Sequence, residues 1–371
     1  MAKVKITGHA SGTGIITLTA PNTSTDRTIT LPDATGTLLN SDGSGASLTG
    51  ISSFNQNIAK NGGFDVWQRG TSFTYTSGKN FIADRWWVTP NSGAHTQTRQ
   101  AAGLDGFNYC LRMQRDASQT ATGVVYLQNE FESRDSMQFR GKKLTFSFYA
   151  RKGANFSQAS SYLTSNVVTG TGTDQSLTSG LTGAANAISL NNTLTTSWQR
   201  FTHTTGSVIA SSVNQICIQF TTAHEGTAGA ADYYEITGVQ LEEGESATDF
   251  VHRSYGEELA LCQRYYHQIT FGSGNQTIGG GWMYNSTQLG VSLHIPVSQR
   301  VNPTVVSTTG ASDFSFYRNG DSDQFNGFLR DNGSFDNCRV GVYNGGLTGT
   351  AGWAGLVVAH TAGDLACDAE I

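Results

Sequence analysis

The stretch L144-T-F-S-F-Y-A150 sets the fold class of this chain. Leu144, Phe146 and Phe148 alternate with Thr145, Ser147 and Tyr149, the two-residue period of a strand with one buried and one polar face. Q215-I-C-I-Q-F220 repeats it, with Ile216, Ile218 and Phe220 opposite Gln215, Cys217 and Gln219. Outward from these lie F64-D-V-W67, D84-R-W-W-V88, N108-Y-C-L-R-M113, V124-V-Y-L127, W198-Q-R-F-T202 and Y233-Y-E-I-T-G-V-Q-L241. Short strands at this spacing, between turns rich in Gly, Ser, Thr and Asn, predict one two-sheet sandwich over residues 61–253. The low-complexity run 160–195 reads as a long exposed excursion or ragged hairpin at one end of it.

Composition excludes several function classes. Charged residues make up 14% of the 371 and the formal net charge is -5, so no basic field exists to hold a phosphate backbone. No apolar window reaches the length of a membrane span, so neither nucleic acid nor membrane insertion is expected. The first residues, M-A-K-V-K-I-T, lack the apolar core of a signal peptide, which fits release by lysis as part of a particle. Five cysteines, Cys110, Cys217, Cys262, Cys338 and Cys367, show no local spacing. Buried free thiols are the default reading, with one or two long-range disulfides left open.

The flanks complete an all-β plan. Residues 1–60 offer G14-I-I-T-L-T-A-P21, D26-R-T-I-T-L-P-D33 and G36-T-L-L39, runs with too few apolar side chains to cover themselves. Self-association of this N-terminal intertwined β segment follows. S254-Y-G-E-E-L-A-L-C-Q-R-Y-Y266 predicts a short linking helix over 254–266, capped by Ser254 with Glu257 three residues on, and with Leu261 and Tyr265 on one buried stripe. Residues 267–371 return to β structure as a small C-terminal sandwich, in which Leu289, Val291, Leu293 and Ile295 face one way.

N61-G-G-F-D-V-W-Q-R-G-T-S-F73 with A83-D-R-W86, and Y234-E-I-T-G-V-Q-L-E-E-G244 with A247-T-D-F-V-H-R253, resemble the opening and closing strands of the carbohydrate-binding-like jelly roll of bacteriophage tail fibres. E257-E-L-A-L-C-Q-R-Y-Y266 with I295-P-V-S-Q-R-V-N-P-T304 resembles the helix and strand leading into their C-terminal domain, and the N-terminal runs resemble a segment near the attachment or trimerising end. The resemblance implies a homotrimeric virion fibre or tail appendage. Its first 60 residues would meet other tail or neck proteins, its distal end a host surface polysaccharide or lipopolysaccharide. It also implies a possible structural calcium, with Glu235 and backbone oxygens near Asn61 as ligands, although no EF-type loop is present. No other cofactor is expected.

Each marked residue has a bland reading and a functional one. Trp67 and Arg69 would stack on and hydrogen-bond a sugar, or else Trp67 fills the core and Arg69 pairs with an acid such as Asp84. In D84-R-W-W87 only one indole is expected to face inward, which makes the outward one, Trp87, a ligand candidate, while Asp84 and Arg85 would pin two strands. Phe316, Tyr317, Tyr343 and Trp353 with Asn319, Asp321, Asp323 and Asn326 have the composition of a saccharide surface, or of an ordinary hairpin tip. The histidines show no metal-ligating spacing, and neither a nucleophile elbow nor a partnered carboxylate pair occurs. Multivalent glycan binding without catalysis is the leading expectation. The alternatives are a polysaccharide depolymerase and a structural tail, neck or capsid appendage.

Overall fold

The computed structural model describes residues 57–371 apart from 92, 272–273, 334–336 and 344–345; the segment expected to self-associate lies, except for its last four residues, outside the described residues. The first twelve strands among the described residues are β1 (Ser72–Tyr75), β2 (Asn80–Phe81), β3 (Trp87–Pro90), β4 (His95–Leu104), β5 (Phe107–Arg115), β6 (Gly123–Glu130), β7 (Leu144–Lys152), β8 (Tyr162–Gly170), β9 (Ala185–Thr193), β10 (Gln199–Thr204), β11 (Gln215–His224) and β12 (Tyr233–Glu243). They form two six-stranded sheets, β1-β4-β5-β12-β7-β10 and β2-β3-β6-β11-β8-β9, stacked as a jelly-roll-like sandwich. The alternation in β7 places Leu144, Phe146 and Phe148 in the core. Phe146 and Phe148 meet Phe220 of the opposite sheet at ring separations of 5.6 and 4.9 Å. Each such ring removed from water contributes roughly 1.5–3 kcal/mol.

Two local expectations change. Of the two readings of run 160–195, the exposed excursion gives way to the hairpin: β8 and β9 pair antiparallel with a register shift at Val167/Val168, β8 lies inside the second sheet between β11 and β9, and Leu163, Val167 and Ile188 turn into the core. A few apolar residues at even spacing suffice, because Thr, Ser and Asn satisfy the strand's other face. The second change concerns F64-D-V-W67, which is not a strand but an irregular segment after a turn at Asn61–Gly63.

That turn explains its own sequence. Asn61 adopts φ 55°, and its carboxamide closes the loop: Nδ2 donates to the carbonyls of Val66 (2.8 Å) and Asp84 (3.0 Å), while Oδ1 accepts from Val66 N–H (3.0 Å). Gly62 accepts from Val239 N–H at 2.9 Å, and a Cβ placed on it would lie 2.1 Å from the Val239 carbonyl oxygen. Backbone cannot yield as a flexible side chain does. Gly62→Ala is therefore expected to cost about 2 kcal/mol, read as a lowered urea midpoint. An unchanged midpoint would mean that the turn does not need this approach.

Among the described residues are two short α-helices, α1 (Ser133–Ser136) and α2 (Tyr255–Gln263). Ser254 caps α2 through a complete capping box: its hydroxyl accepts from Glu257 N–H, and Glu257 Oε2 accepts from Ser254 N–H at 2.9 Å. The buried face carries Glu258 and Cys262, followed by Tyr265, rather than the Leu261–Tyr265 stripe. The helix is rotated toward the Asn61 turn, because Glu258 Oε1 accepts from Asn61 N–H and its carboxylate pairs with Arg253 at 2.9 Å.

Ten strands follow among the described residues: β13 (Tyr266–Phe271), β14 (Gln276–Met283), β15 (Gln288–His294), β16 (Thr304–Ser307), β17 (Phe314–Arg318), β18 (Asp321–Phe325), β19 (Leu329–Gly333), β20 (Asn337–Tyr343), β21 (Ala354–Ala359) and β22 (Asp364–Asp368). They make a three-stranded sheet, β13-β22-β16, and a seven-stranded one, β18-β17-β21-β14-β15-β20-β19. Leu289, Val291, Leu293 and Ile295 all enter the core of this part, alongside Phe314, Phe325 and Phe328. Cys110, Cys217 and Cys262 are buried free thiols, and Cys367 is buried as well. No helix among the described residues is long and apolar enough to cross a membrane.

Candidate binding surfaces

The motif at residues 61–73 builds a junction. Gln68 and Arg69 lie in a turn, so strand alternation does not govern them. Trp67 is buried, stacked on Phe73, with its indole N–H donating to the Phe64 carbonyl at 2.7 Å. Asp84 accepts from the backbone N–H (2.7 Å) and the side chain of Gln68, not from Arg69. Gln68 Nε2 reaches the Tyr266 carbonyl at 2.7 Å, tying β13 to the turn. Arg69 lies 3.5 Å over the Tyr266 ring and 3.4 Å from both Asp368 and Glu370.

The second half of the motif continues this clasp. Arg85 is fully buried, stacked 3.5 Å over the Tyr265 ring, paired with Glu370 and donating to the Glu130 carbonyl. Lys79 bridges Glu130 (2.9 Å) and the Ile371 carbonyl (2.7 Å) and lies 4.3 Å over the Trp87 ring. Both indoles of the Trp86–Trp87 pair are consequently buried, against the expectation that one would face outward. Trp86 packs on Phe64 and Phe220 inside the sandwich, whereas Trp87 lies on the outer side under the Lys79 ammonium. Trp67, Arg69 and Trp87 have partners within the chain and present no open face to a ligand. The partners of Arg69 lie some 200–300 residues away in sequence, where no local pattern announces them, whereas Trp67 and Trp87 are covered from nearby, by Phe73 and by Lys79.

The C-terminal candidates do come together, at one end of the seven-stranded sheet. Asn319 (φ 39°) and Gly320 (φ 81°) form the two-residue turn of the β17–β18 hairpin, in which Arg318 is paired with Asp321. The buried Arg318 guanidinium lies 2.7 Å from Asp323, 3.5 Å from Asp321 and 5.3 Å from the centre of the Trp353 ring. Asp323 also accepts from Thr348 N–H at 2.9 Å. Asp323 is therefore committed to holding the loop, whereas Asp321, Tyr317 and Trp353 remain exposed.

An aromatic strip on the outer face of the same sheet was not read from the sequence. Tyr317 is paired with Leu356, Leu356 with Gly280, and Trp282 with both Ala354 and Gly290, so these side chains share one face. A Cβ on Gly290 would meet the Trp282 indole at 2.7 Å, which shows the ring lying flat against the Gly290 backbone. Tyr317, Leu356 and Tyr284 are exposed at 42%, 43% and 68%. Ser322, opposite Tyr317, and the exposed Gln324 supply a polar flank. The signal that could have revealed it is G279-G-G-W282 with Gly290 across the hairpin: small residues leave a large ring the room to lie down on a sheet.

Glu235, considered for calcium, is held by Arg112 (2.6 Å) and Arg151 (2.5 Å), whose charges oppose a further cation. Among the described residues no group of three or more His, Cys, Asp or Glu side chains is placed to hold a metal ion.

No protein-family model and no curated protein matches the chain. Solved structures do. The enzymatically active domain of tailspike protein 4 of bacteriophage CBA120 aligns at 12% identity and TM-score 0.31, over 51% of this chain and 21% of that one. The chain thus spans about a fifth of that tailspike domain. A CBM4 carbohydrate-binding module aligns at 19% identity and TM-score 0.29, over 50% of this chain and 99% of that one. The tandem CBM22-1–CBM22-2 domain of Paenibacillus barcinonensis Xyn10C aligns at 9% identity and TM-score 0.29, over 84% of this chain and 98% of that one.

Proposed function

We propose that this chain is a glycan-binding fibre or appendage of a virus particle that recognises a host-surface polysaccharide and performs no chemistry on it. The observation that carries the glycan reading is Trp282 laid flat on Gly290, in line with the exposed Tyr317 and Tyr284. A pyranose has an apolar face of axial C–H groups, and a rigid, flat indole bounded by polar side chains complements it at little entropic cost. The virion role is supported by the sequence resemblance to tail fibres at residues 61–86, 234–253 and 257–304. Three copies would convert modest sugar contacts into useful avidity.

Trp282→Ala tests the reading. Its ring lies on the surface of a formed sheet, so the thermal midpoint should move little while retention of the full chain on host cells falls by about tenfold or more. Retention that survives this substitution together with Tyr317→Ala would place recognition elsewhere. Release of new reducing ends from the bound polysaccharide would replace the adhesin with a depolymerase.

A further inference from the structure

The outer face of the first sandwich sheet carries an arrangement that neither the core nor the junction uses. Glu235 on β12 is directly opposite Arg112 of β5 on one side and Arg151 of β7 on the other. Its carboxylate is fully buried, while the two arginine side chains keep 28% and 29% of their surface exposed. Arg112 donates to Oε1 through Nε (2.8 Å) and Nη2 (2.6 Å); Arg151 donates to Oε2 through Nε alone, at 2.5 Å. Among the described residues, Nη1 of Arg112 and both terminal nitrogens of Arg151 have no hydrogen-bond partner.

The surroundings hold these guanidiniums in place. Arg112 lies 4.0 Å over the Tyr233 ring, and Arg151 4.7 Å over the Trp198 ring. Tyr233 is backed by Gly153, where a Cβ would come within 2.7 Å of the ring, and Trp198 is fixed by its indole N–H donating to the Ala102 carbonyl at 2.9 Å. The two like charges, on the strands that flank β12, repel. One arginine would neutralise Glu235. The second leaves a net positive charge on this face of a chain whose total is -5.

We propose that Arg112 and Arg151 form a second saccharide site, selective for a carboxylate-bearing sugar residue. The unused Nη1–Nη2 edge of Arg151 is a planar fork that matches a carboxylate bidentately, and Nη1 of Arg112 adds a donor beside it. Glu235 orients both arginines by fixing their Nε groups. The half-buried Trp198 and Tyr233 flank the bound group with apolar surface for the sugar ring. The site rests on the reading of the chain as a glycan binder, but it lies on a different sheet from Trp282.

The test uses the full chain with polygalacturonate, alginate and hyaluronate, each offered also in its carboxyl-reduced form, by affinity electrophoresis. At least one acidic polymer should be bound roughly tenfold more tightly than its reduced form, and salt should weaken that preference. Arg151→Lys keeps the charge and the reach to Glu235 but loses the fork, so the preference should collapse while the thermal midpoint holds. Trp282→Ala should leave the acidic-to-reduced ratio in place. Equal affinity for acidic and reduced polymers, or a preference untouched by Arg151→Lys in a folded variant, overturns the site and leaves the Trp282 reading standing. Failure to retain any of these polymers in either form overturns the carboxylate site, while the Trp282 reading falls only if the full chain also fails to be retained on host cells.

Discussion

Arg85→Ala is expected to lower stability by about 3–5 kcal/mol, because it leaves the Glu370 carboxylate buried without its closest cation. The Glu130 carbonyl loses a donor and the Tyr265 ring loses its stacked guanidinium in the same substitution. Arg69, 3.4 Å from Glu370, stays as a weaker partner and sets the loss nearer the lower end of that range. Urea denaturation provides the measurement. A second substitution, Glu370→Gln in the Arg85→Ala chain, should recover part of the loss by removing the stranded charge, and the double-mutant cycle then gives the coupling between the two residues. A loss under about 1 kcal/mol, the ordinary worth of an exposed pair, would mean that water reaches this junction and that the clasp is not what fixes the C-terminal strands to the sandwich.

The second large effect is a loss of stability in mild acid. At one end of the sandwich, His95 of β4 and His224 of β11 are buried with ring centres 5.2 Å apart. Arg115 of β5 and Asp232, just before β12, lie beside them, both fully buried, and Ser157 joins the group from the loop after β7. His95 Nδ1 donates to the Gly93 carbonyl at 3.0 Å, which fixes that tautomer and leaves Nε2 without a partner. Burial lowers the pKa of His95, and burial followed by the nearby His95 lowers that of His224 to about 4.

The sign follows from proton counting. Between pH 6.5 and about 4 the unfolded chain binds a proton at His224 that the folded chain refuses, so stability falls with pH across that window and this contribution flattens below it. The full loss from His224 is about 3 kcal/mol, at 1.36 kcal/mol per pH unit of displacement. Glu132, held to about 2 by Arg264 and the Tyr265 hydroxyl despite its burial, contributes stability that is lost only at lower pH, so the two effects separate. Urea midpoints measured from pH 7.5 down to 4.5 should decline for the native chain and decline less for His224→Gln, in which the lowered pKa of His95 still contributes. Parallel declines in both would move the cause to other groups.

Much of the sandwich was legible locally. The two-residue alternation in 144–150 and 215–220 needed no partner to be seen, because a strand exposes its pattern along its own length. The same holds for Leu289 to Ile295 and for the Ser254–Glu257 cap, whose geometry spans three residues. The expectations that changed were those in which a side chain's fate is set by something distant. Leu261 yielded the buried stripe to Glu258 and Cys262 because the Asn61 turn, some 200 residues earlier, supplies the surface the helix rests on. Run 160–195 left an exposed excursion open beside a ragged hairpin because its polar residues outnumber its apolar ones, yet one core-facing residue in two, or fewer, is enough to seat β8 as an internal strand.

The candidate sites divide along the same line. The exposed tip residues Tyr317, Asn319, Asp321 and Trp353 were found because hairpin chemistry and surface aromatics are local features. Trp67, Arg69 and Trp87 are candidates in the sequence because an aromatic or arginine in a short strand-like run looks the same whether it faces water or another part of the chain. By itself the sequence determined which residues alternate, where turns fall and how the linking helix begins, since those depend on neighbours a few bonds away. Only the tertiary structure decided which charges become buried partners, which indole lies flat on a glycine, and which arginine edge stays open, because those depend on strands that approach each other in space across hundreds of residues.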